Sequence, residues 1–586
     1  MKVSKSVLLL LLALLATFSL SLFYILSSSP KFSHNILQAR GHSSEIDLPY
    51  RYETRENEQY VIKSTLAYSS WMTSSIRIIA DDCVTHLKIN NINVDLKEIS
   101  TGSLCDYTKG FTIDLLSYLE RGDNSFEVTI TNSGGATGFS IQHDQDNVQF
   151  FVAWALLLFS IFIISFIVTD KLNFPVFLSL LFALGVVIRI LMLEGTAYDL
   201  FTHDVYGHID YIKYMAHNFN LPQASECWQC YQQPLYYILA TPIYLIADSI
   251  AIFDTNKSLQ TLSLFLNSGF LLFILLTLKQ VKLSKITLIF VGSIAIFMPA
   301  MVIHSVRIGN DALMYFAFSG SLYFYIRWID EKKGLPYAVA LAIIALFSKT
   351  NGVIAMGVLG LSFLLYLYYQ NNKREYIRIL VTTVALFVSA LILSTYLHTS
   401  RNKENSIVGN ASTLNHKLLV DNRPINYLYF DLKNYLQEPF TSPWDDDKGR
   451  QYFWNYLLKS SLFGEFTFYK ESLKIISYLI GAIYLLIIFG TLYGFLQLNK
   501  SSMIKYFPFI VNGGLLIVGA LYLRMSIPSS CSNDFRYITP IILSGILFLG
   551  LTLDKIRHSP YVILKLISFG SVGLFSFLSL LFFILQ

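Results

Sequence analysis

Residues 149–169 read QFFVAWALLLFSIFIISFIVT, a run without a charged side chain. A helix needs about 20 predominantly apolar residues to cross a bilayer, so this run predicts a membrane-spanning helix. Similar runs recur through the 586-residue chain, which is 54% hydrophobic and 14% charged. Soluble globular proteins carry about a quarter charged residues, so the composition excludes that class along with disordered and collagen-like chains. The sequence predicts a polytopic, all-α membrane protein.

The apolar runs predict about 13 transmembrane helices. The first run, Ser6 to Leu26, follows Lys2 and Lys5. No small-residue cleavage site follows it, so we interpret 1–27 as an uncleaved signal anchor. The other predicted spans lie at 149–169, 175–194, 259–278, 286–304, 311–328, 336–350, 352–370, 378–398, 473–497, 506–524, 537–553 and 560–585.

Short basic loops predict the orientation, because Lys and Arg beside span ends stay cytoplasmic. These loops share one side only if the apolar segment 234–253, which contains Pro242, does not cross. We interpret it as a re-entrant or interfacial helix on the outer face. The segments predicted to face outward are 28–148, 195–258, 399–472 and 525–536. The net charge of +5 fits membrane orientation, and no nucleic-acid partner is expected.

The outer segment 28–148 alternates apolar and polar residues, a period typical of β-strands. Its length fits one extracytoplasmic β-sandwich domain inserted before the main membrane domain, 149–586. The run YLERGDNSFEVTITNSGG at 118–135 resembles the late strands of galactose-binding-like jelly rolls. A sugar- or acceptor-binding module and a lid over the outer loops are both open interpretations.

All five cysteines fall on the predicted outer face, where an oxidising environment favours disulfides. Cys83 and Cys105 are predicted to bridge within the sandwich. Cys227, Cys230 and Cys531 leave two pairings open, a bridge inside the C-x-x-C or one from this motif to Cys531. A zinc role is disfavoured because zinc requires four ligands and no histidine pair stands at ligand spacing beside the motif.

The outer loop 195–258 carries the strongest candidates for chemistry. Asp204 and His208 stand four residues apart, on one face of a short helix, and Asp210 follows on the same helix. Acidic residues just past a membrane span are costly unless they are solvated or used. Spacing alone leaves two interpretations open, a polar interfacial helix and an active site.

The motifs of this loop resemble the first outer loop of the GT-C membrane glycosyltransferases. The closest group is the dolichyl-phosphate-mannose protein mannosyltransferases, which includes the bacterial lipid A aminoarabinose transferases. That group often shows Asp-Glu-x-x-His followed by Pro-Pro-Leu-Tyr-Tyr. The present chain keeps the acid and the histidine, has Val205 in place of the Glu, and has Gln233 in place of the first proline. The corresponding residues are Asp204, His208, Leu221, Pro222, Gln233, Pro234, Leu235, Tyr236 and Tyr237.

Four later segments resemble motifs of the same group, in the same order along the chain. They are the Arg307-Ile308-Gly309-Asn310-Asp311 turn, the Ser348-Lys349-Thr350-Asn351-Gly352 turn, the late outer loop with Trp454 and Glu465, and Asp534-Phe535-Arg536-Tyr537 before Pro540.

The resemblance implies transfer of a sugar from a polyprenyl-phosphate donor to a glycan, lipid or protein acceptor on the extracytoplasmic face. In an inverting, single-carboxylate mechanism Asp204 is the candidate general base, with Asp210 as its rival. Arg307, Lys349 and Arg536 are candidates for holding the donor phosphate. Further substrate-binding candidates are His208, Tyr236, Tyr237, Asn310, Asp311, Trp454, Glu465 and Tyr537.

Each of the three cations also has a plain structural interpretation. Lys349 could snorkel to the interface, Arg307 could pair with Asp311, and Arg536 could pair with Asp534. The family implies neither a metal nor a cofactor. A lipid-linked glycan transporter and a glycan polymerase or ligase are the alternative functions. The predicted location is the bacterial plasma membrane, or the endoplasmic reticulum in a eukaryote.

Overall fold

The computed structural model describes residues 13–14, 16–21, 24, 31–46, 48–53, 58–69, 72–105, 110–133, 136–143, 148–172, 174–249, 254–370, 373–401, 416–498 and 500–585. Most of the predicted signal anchor lies outside these residues. The chain divides into two compact units, Met1–Ile164 and Ser165–Gln586.

The first unit contains two antiparallel β-sheets. The six-stranded sheet has the order β2-β1-β4-β10-β6-β7, and the five-stranded sheet has the order β3-β11-β5-β9-β8. The strands are β1 Lys31–Ala39, β2 His42–Glu45, β3 Tyr50–Glu53, β4 Glu58–Tyr68, β5 Ser75–Asp81, β6 Cys83–Ile89, β7 Ile92–Asn93, β8 Ser100–Gly102, β9 Phe111–Asp114, β10 Gly122–Asn132 and β11 Ala136–His143.

Alternation of apolar and polar residues gives each long strand one buried face. Ile62 and Val128 from the six-stranded sheet share one core with Ile78 and Phe111 from the other sheet. The two sheets therefore enclose a common core, the arrangement of a β-sandwich. The predicted Cys83–Cys105 disulfide is confirmed.

Helices make up most of the remaining described chain. They are α1 Leu96–Ile99 within the first unit, α2 Val148–Lys171, α3 Val176–Gly195, α4 Val205–Asn218, α5 Leu235–Ser249, α6 Thr255–Val281, α7 Lys285–Phe297, α8 Pro299–Ile303, α9 Asp311–Glu331, α10 Leu335–Ser348, α11 Val353–Tyr368, α12 Lys373–Arg401, α13 Ile425–Leu428, α14 Leu432–Gln437, α15 Phe453–Phe463, α16 Glu471–Leu496, α17 Lys500–Ser526, α18 Ile542–Arg557 and α19 Val562–Leu585.

Nine helices in the described part of the chain are long and apolar enough to cross a membrane, or ten if the bent pair α7–α8 is one span. The chain is therefore a multi-pass membrane protein. The number of about 13 stays a prediction, because some predicted spans are short or broken helices. The predicted span at 336–350 corresponds to α10, whose 14 residues extend about 21 Å at 1.5 Å per residue. That is shorter than the roughly 30 Å of a bilayer core.

The apolar segment 234–253 forms α5, which has 15 residues with Pro242 inside it. Its length of about 22 Å is also below the thickness of a bilayer core. The interpretation of this segment as a re-entrant or interfacial helix stays a prediction.

A break between α7 and α8 bends the chain by 55°. Pro299 at the first position of α8 has no N–H to continue the hydrogen bonding of α7. Arg189 on α3, only 1% exposed, donates to the carbonyls of Ile296 at 3.3 Å and Ala295 at 3.4 Å. A buried cation at the negative end of α7 thus satisfies carbonyls that the break would leave unpaired.

Gly494 lies in the close contact between α16 and α18, whereas Gly514 on α17 faces open space. Alanine at these two positions should therefore have opposite effects on stability. A Cβ at Gly494 would overlap the carbonyl oxygen of Phe548, whereas a Cβ at Gly514 on α17 would meet no atom within 4 Å. We expect Gly494→Ala to cost about 1–3 kcal/mol or more through overpacking. Gly514→Ala should leave stability unchanged or raise it slightly. Thermal unfolding of the detergent-solubilised protein measures both, and equal melting temperatures would contradict the packing.

Candidate active site

Arg536 lies between two carboxylates at the centre of the candidate site. Its Nη1 donates to Asp204 Oδ2 at 2.8 Å, and its Nε lies 3.1 Å from Asp534 Oδ2. The Arg536 side chain is 9% exposed and the Asp534 side chain is fully buried. The predicted alternative, an Arg536–Asp534 pair, is present, and the pair with Asp204 exists beside it.

Local structure fixes the position of Arg536. It lies in a 3₁₀ turn, Phe535–Ile541, and the Asp534 side chain caps this turn by accepting from the backbone N–H of Arg536. Tyr315 on α9 donates its hydroxyl to the Arg536 carbonyl at 2.5 Å. Ser460 on α15 accepts the backbone N–H of Phe535 at 3.0 Å. Two other helices therefore hold the turn that presents the guanidinium.

Asp204 immediately precedes α4 and remains partly accessible, with 20% of its side chain exposed. Burial works against ionisation of this carboxyl. The nearby positive charge of Arg536 outweighs burial and holds the Asp204 pKa well below its usual range. Asp204 is therefore ionised at neutral pH. Arg536 binds Oδ2, and the described residues place no donor on Oδ1.

His208 lies one turn along α4, on the same side as Asp204, and is buried. Its Nδ1 is 2.7 Å from the Tyr237 hydroxyl, and burial lowers the His208 pKa to about 4. The imidazole is therefore neutral at physiological pH. A Cβ at Gly309 would lie 3.2 Å from His208 Nε2, so the glycine lets the turn before α9 approach the ring closely.

Tyr236 and Tyr237, two of the predicted substrate-binding residues, are both fully buried. Tyr237 stacks on Tyr211 with ring centroids 3.7 Å apart, in addition to its contact with His208. Tyr236 accepts the backbone N–H of Gly309 at 3.2 Å. The structure places these rings beneath the site, where they support His208 and Gly309, rather than on an open surface.

The C-x-x-C forms an internal disulfide, Cys227–Cys230, which settles the pairing that the sequence left open. Cys531 remains a free thiol. A Cβ at Gly207 would lie 2.8 Å from Gln229 Cγ, so a glycine on α4 allows the bridged loop to pack against the helix that follows Asp204.

A second ion pair lies on the other side of Arg536. Lys349 Nζ is 2.5 Å from Asp311 Oδ1 and 4.9 Å from the centroid of the Tyr537 ring. The Tyr537 hydroxyl accepts from Arg536 Nη2 at 3.2 Å. Tyr537 therefore bridges the two charged pairs. In the structure, the ion-pair partner of Asp311 is Lys349, whereas the structural interpretation of Arg307 had paired Asp311 with Arg307.

Asn310, a predicted substrate-binding residue, has a structural connection in this arrangement. Its Nδ2 donates to the carbonyl of Ser348 at 3.0 Å and to Gln232 Oε1 at 3.1 Å. The side chain therefore links the start of α9 to the Lys349 turn and to the loop after the disulfide.

Arg307 follows the His304–Val306 turn and Glu465 follows α15, and both lie near the charged cluster. Arg307 bonds His304 Nδ1 at 3.1 Å and lies over the Phe466 ring at 5.9 Å. The structure assigns it no carboxylate partner among the described residues. Glu465 accepts the Tyr456 hydroxyl at 2.5 Å, and burial raises its pKa.

Two predicted residues lie apart from this cluster in their contacts. Trp454 donates its indole N–H to the Tyr427 carbonyl at 2.8 Å and packs edge-on against Phe453. Asp210, the rival base, lies exposed on α4.

Sequence reasoning missed His203 and Arg401. His203 Nε2 lies 3.9 Å from Glu465 Oε2. Partial desolvation and the positive charges of Arg307 and Arg536 lower the His203 pKa. Arg401, at the end of α12, donates to the Tyr211 hydroxyl at 2.6 Å and to the Gln232 carbonyl at 3.0 Å. The position of His203 beside Asp204 was a usable signal. Nothing in the local sequence of Arg401 indicates its partners.

No metal-binding group of three or more His, Cys, Asp or Glu residues occurs in the described ranges. The expected absence of a metal or cofactor in function stays a prediction.

No protein-family model matches the chain. No curated protein matches it either. Among solved structures, it aligns with the crystal structure of ArnT from Cupriavidus metallidurans bound to undecaprenyl phosphate. That alignment has 16% identity and a TM-score of 0.39, and it covers 65% of the present chain and 60% of that chain. The apo form of the same protein aligns with 11% identity and a TM-score of 0.29, over 67% and 77%.

ArnT is a lipid A aminoarabinose transferase, a member of the group that the sequence motifs resemble.

The opposite pKa shifts of Asp204 and Glu465 predict different pH dependences of stability. A carboxyl whose folded pKa is depressed contributes stability above its unfolded pKa, about 3.9 for Asp. Asp204→Asn should therefore lower the melting temperature by a constant amount from pH 5 to pH 8. The folded pKa of Glu465 is raised, so the wild type loses stability as pH rises above the unfolded value of about 4.3.

Glu465→Gln should accordingly become more stable relative to wild type between pH 5 and pH 8. Melting temperatures of the three proteins across this range provide the measurement. A deficit for Asp204→Asn that grows or vanishes with pH would contradict the ion pair with Arg536.

Proposed function

We propose that the chain is an integral-membrane glycosyltransferase with a GT-C-like membrane domain. It transfers a sugar from a polyprenyl-phosphate donor to an acceptor on the extracytoplasmic face. The observation that carries the proposal is the assembly of one charged cluster from distant motifs. Asp204, Asp311, Lys349 and Arg536 come from separate chain segments and contact one another through ion pairs and the Tyr537 ring.

Asp204 is the proposed general base. It is ionised, partly accessible, and engaged by Arg536 through one oxygen. A low pKa makes it a weak base, which suits attack on a sugar that carries positive charge in the transition state. The attacking hydroxyl becomes acidic as its bond to the anomeric carbon forms, so its proton passes to a carboxylate late in the step. Displacement from the opposite face would invert the anomeric centre.

The donor phosphate needs cationic side chains that are not already held by carboxylates. Lys349 and Arg536 are already paired with carboxylates, whereas Arg307 contacts a histidine and an aromatic ring. Arg307 is therefore the first candidate for binding the phosphate, because a guanidinium binds two phosphate oxygens at once. Lys349 would join by exchanging Asp311 for phosphate. Stabilisation of the departing polyprenyl phosphate follows from the same positive charge.

We also propose general roles for the other candidate residues and for the sandwich. Glu465 and Tyr537 are proposed for the acceptor side, and the lipid tail of the donor would lie in the surrounding membrane. The sandwich is proposed to be jelly-roll-like. The reaction needs no metal or cofactor in this proposal, and the location is the plasma membrane with the site outside.

Loss of the Asp204 carboxylate should slow transfer strongly, beyond its effect on stability. We expect Asp204→Asn to lower kcat by about 10²–10⁴, because the amide cannot accept the hydroxyl proton. Release of polyprenyl phosphate from a panel of short-chain polyprenyl-phosphate sugars, in the presence of membrane extract from the host, measures the activity. Asp447→Asn is the matched control, since Asp447 is an exposed acid of the late outer loop.

If Asp204→Asn kept full activity, the base would lie elsewhere and Asp210→Asn would be tested next. If no donor were consumed while labelled lipid crossed liposomes that contain the protein, a transporter function would replace the proposal.

Replacement of Arg307 should weaken binding of the donor. A charge-assisted hydrogen bond contributes about 1.5–3 kcal/mol, so Arg307→Gln should raise the KM for the donor roughly 10- to 100-fold. Initial rates at varied donor concentration give this value. Arg423→Gln serves as the control, because Arg423 is an exposed arginine paired with Asp421. An unchanged donor KM would remove Arg307 from the phosphate site.

A further inference from the structure

An open groove of about 470 Å³ lies between α7 and α19, away from the charged site. Its walls are almost entirely apolar and include Phe290 on α7 with Leu566, Phe569 and Gly570 on α19. Lys565 also lines it, as the one charged residue of that lining. The groove therefore combines an apolar channel with a single cation.

Contacts between the two helices show how the groove is built. The rings of Phe290 and Phe569 meet edge-on with centroids 5.1 Å apart. Deeper along both helices, the Ser293 and Ser576 hydroxyls form a hydrogen bond at 2.8 Å. Because residue numbers increase together along both helices, α7 and α19 run parallel. Their N-termini therefore lie at the same end of the groove, the end of Lys565.

Basic side chains gather at that end. Lys565 lies in the first turn of α19, whose N-terminus contributes the positive end of its dipole. Lys555 and Arg557 end α18 only a short loop before α19. Asp554 accepts from the backbone N–H of Ser284 and the hydroxyl of Thr287 at the N-terminus of α7 and lies 3.9 Å from Arg557 Nε, so it offsets part of this positive charge. The loop that holds Lys555 and Arg557 is one of the short basic loops predicted to be cytoplasmic.

Apolar surface continues on the outer side of α19, where Val562, Ile563 and Leu566 are 63%, 72% and 68% exposed. In a membrane this exposed apolar face would contact hydrocarbon. From Lys565 to Gly573 the groove runs about 12 Å along the helix, so a headgroup at Lys565 leaves its acyl chain alongside the aromatic walls.

We propose that this groove binds one anionic phospholipid, with its phosphate at Lys565 and the N-terminus of α19 and with an acyl chain between α7 and α19. Basic pockets between transmembrane helices on the cytoplasmic side bind acidic headgroups by the same charge complementarity. The site is separate from the proposed donor site and does not depend on the glycosyltransferase function.

The test compares phosphatidylglycerol with phosphatidylcholine of identical chains, added to the delipidated full-length protein in detergent. Native mass spectrometry counts bound lipid and reports the oligomeric state. Wild type should bind phosphatidylglycerol more tightly than phosphatidylcholine. Lys565→Gln should weaken phosphatidylglycerol binding about fivefold, the effect of one lysine near a lipid surface. Lys373→Gln, at the exposed start of α12, should not.

Gly570→Leu tests the groove itself. A Cβ at Gly570 meets no atom within 4 Å, so leucine can fill the groove without moving the backbone. It should weaken binding of both lipids, while Gly514→Leu, at another open glycine, should not. Melting temperatures show that each variant is folded.

Three results would overturn the proposal. Equal binding of the two lipids by wild type would remove the selectivity for negative charge. Equal effects of Lys565→Gln and Lys373→Gln would show that Lys565 only snorkels to the interface. A dimer that Gly570→Leu dissociates would identify the groove as a contact between two copies of the chain.

Discussion

The ion pair between Asp204 and Arg536 is the constraint on which the candidate site depends. It joins side chains 332 positions apart in the sequence, and both lie where solvent is largely excluded. Removing one member of a buried pair leaves an uncompensated charge, which costs several kcal/mol. Tyr315 and Ser460 hold the turn that carries Arg536, and this turn places the guanidinium within reach of Asp204. The first outer loop, the late helix α15 and the start of α18 are thereby fixed to one another.

Most charged side chains of the site form ion pairs with a residue of opposite charge. Asp204 and Asp534 surround Arg536, and Asp311 holds Lys349. The positive charge of Arg536 keeps Asp204 ionised although burial works against it. Arg307 is the exception among these described cations, since its contacts are a histidine and an aromatic ring. The site therefore presents one positive group that an anion can approach without first breaking an ion pair.

The strands of the first unit and the residues of the candidate site could be predicted from the sequence. The ion pairs and the number of spans could not, for physical reasons. Period-2 alternation predicted the strands of the first unit, and the motif order brought Asp204, Lys349 and Arg536 to one site. Motif order does not say which acid meets which cation, so the Asp311–Lys349 pair was missed. Hydropathy also cannot separate a full span from a shorter or broken helix such as α10 or the α7–α8 pair. Both are as apolar as a span and differ only in length or in one proline.

The two disulfides differ in the length of chain that each encloses. Cys83 and Cys105 are separated by 22 positions, whereas Cys227 and Cys230 are separated by three. Loop-closure entropy gives the short bridge about 2 kcal/mol and the longer one about 3 kcal/mol. The Cys227–Cys230 bridge therefore restrains only the conformation of the loop that packs on Gly207. Reduction would release the loop that packs on Gly207, close to Asp204, so we expect the geometry of the site to depend on the oxidised bridge.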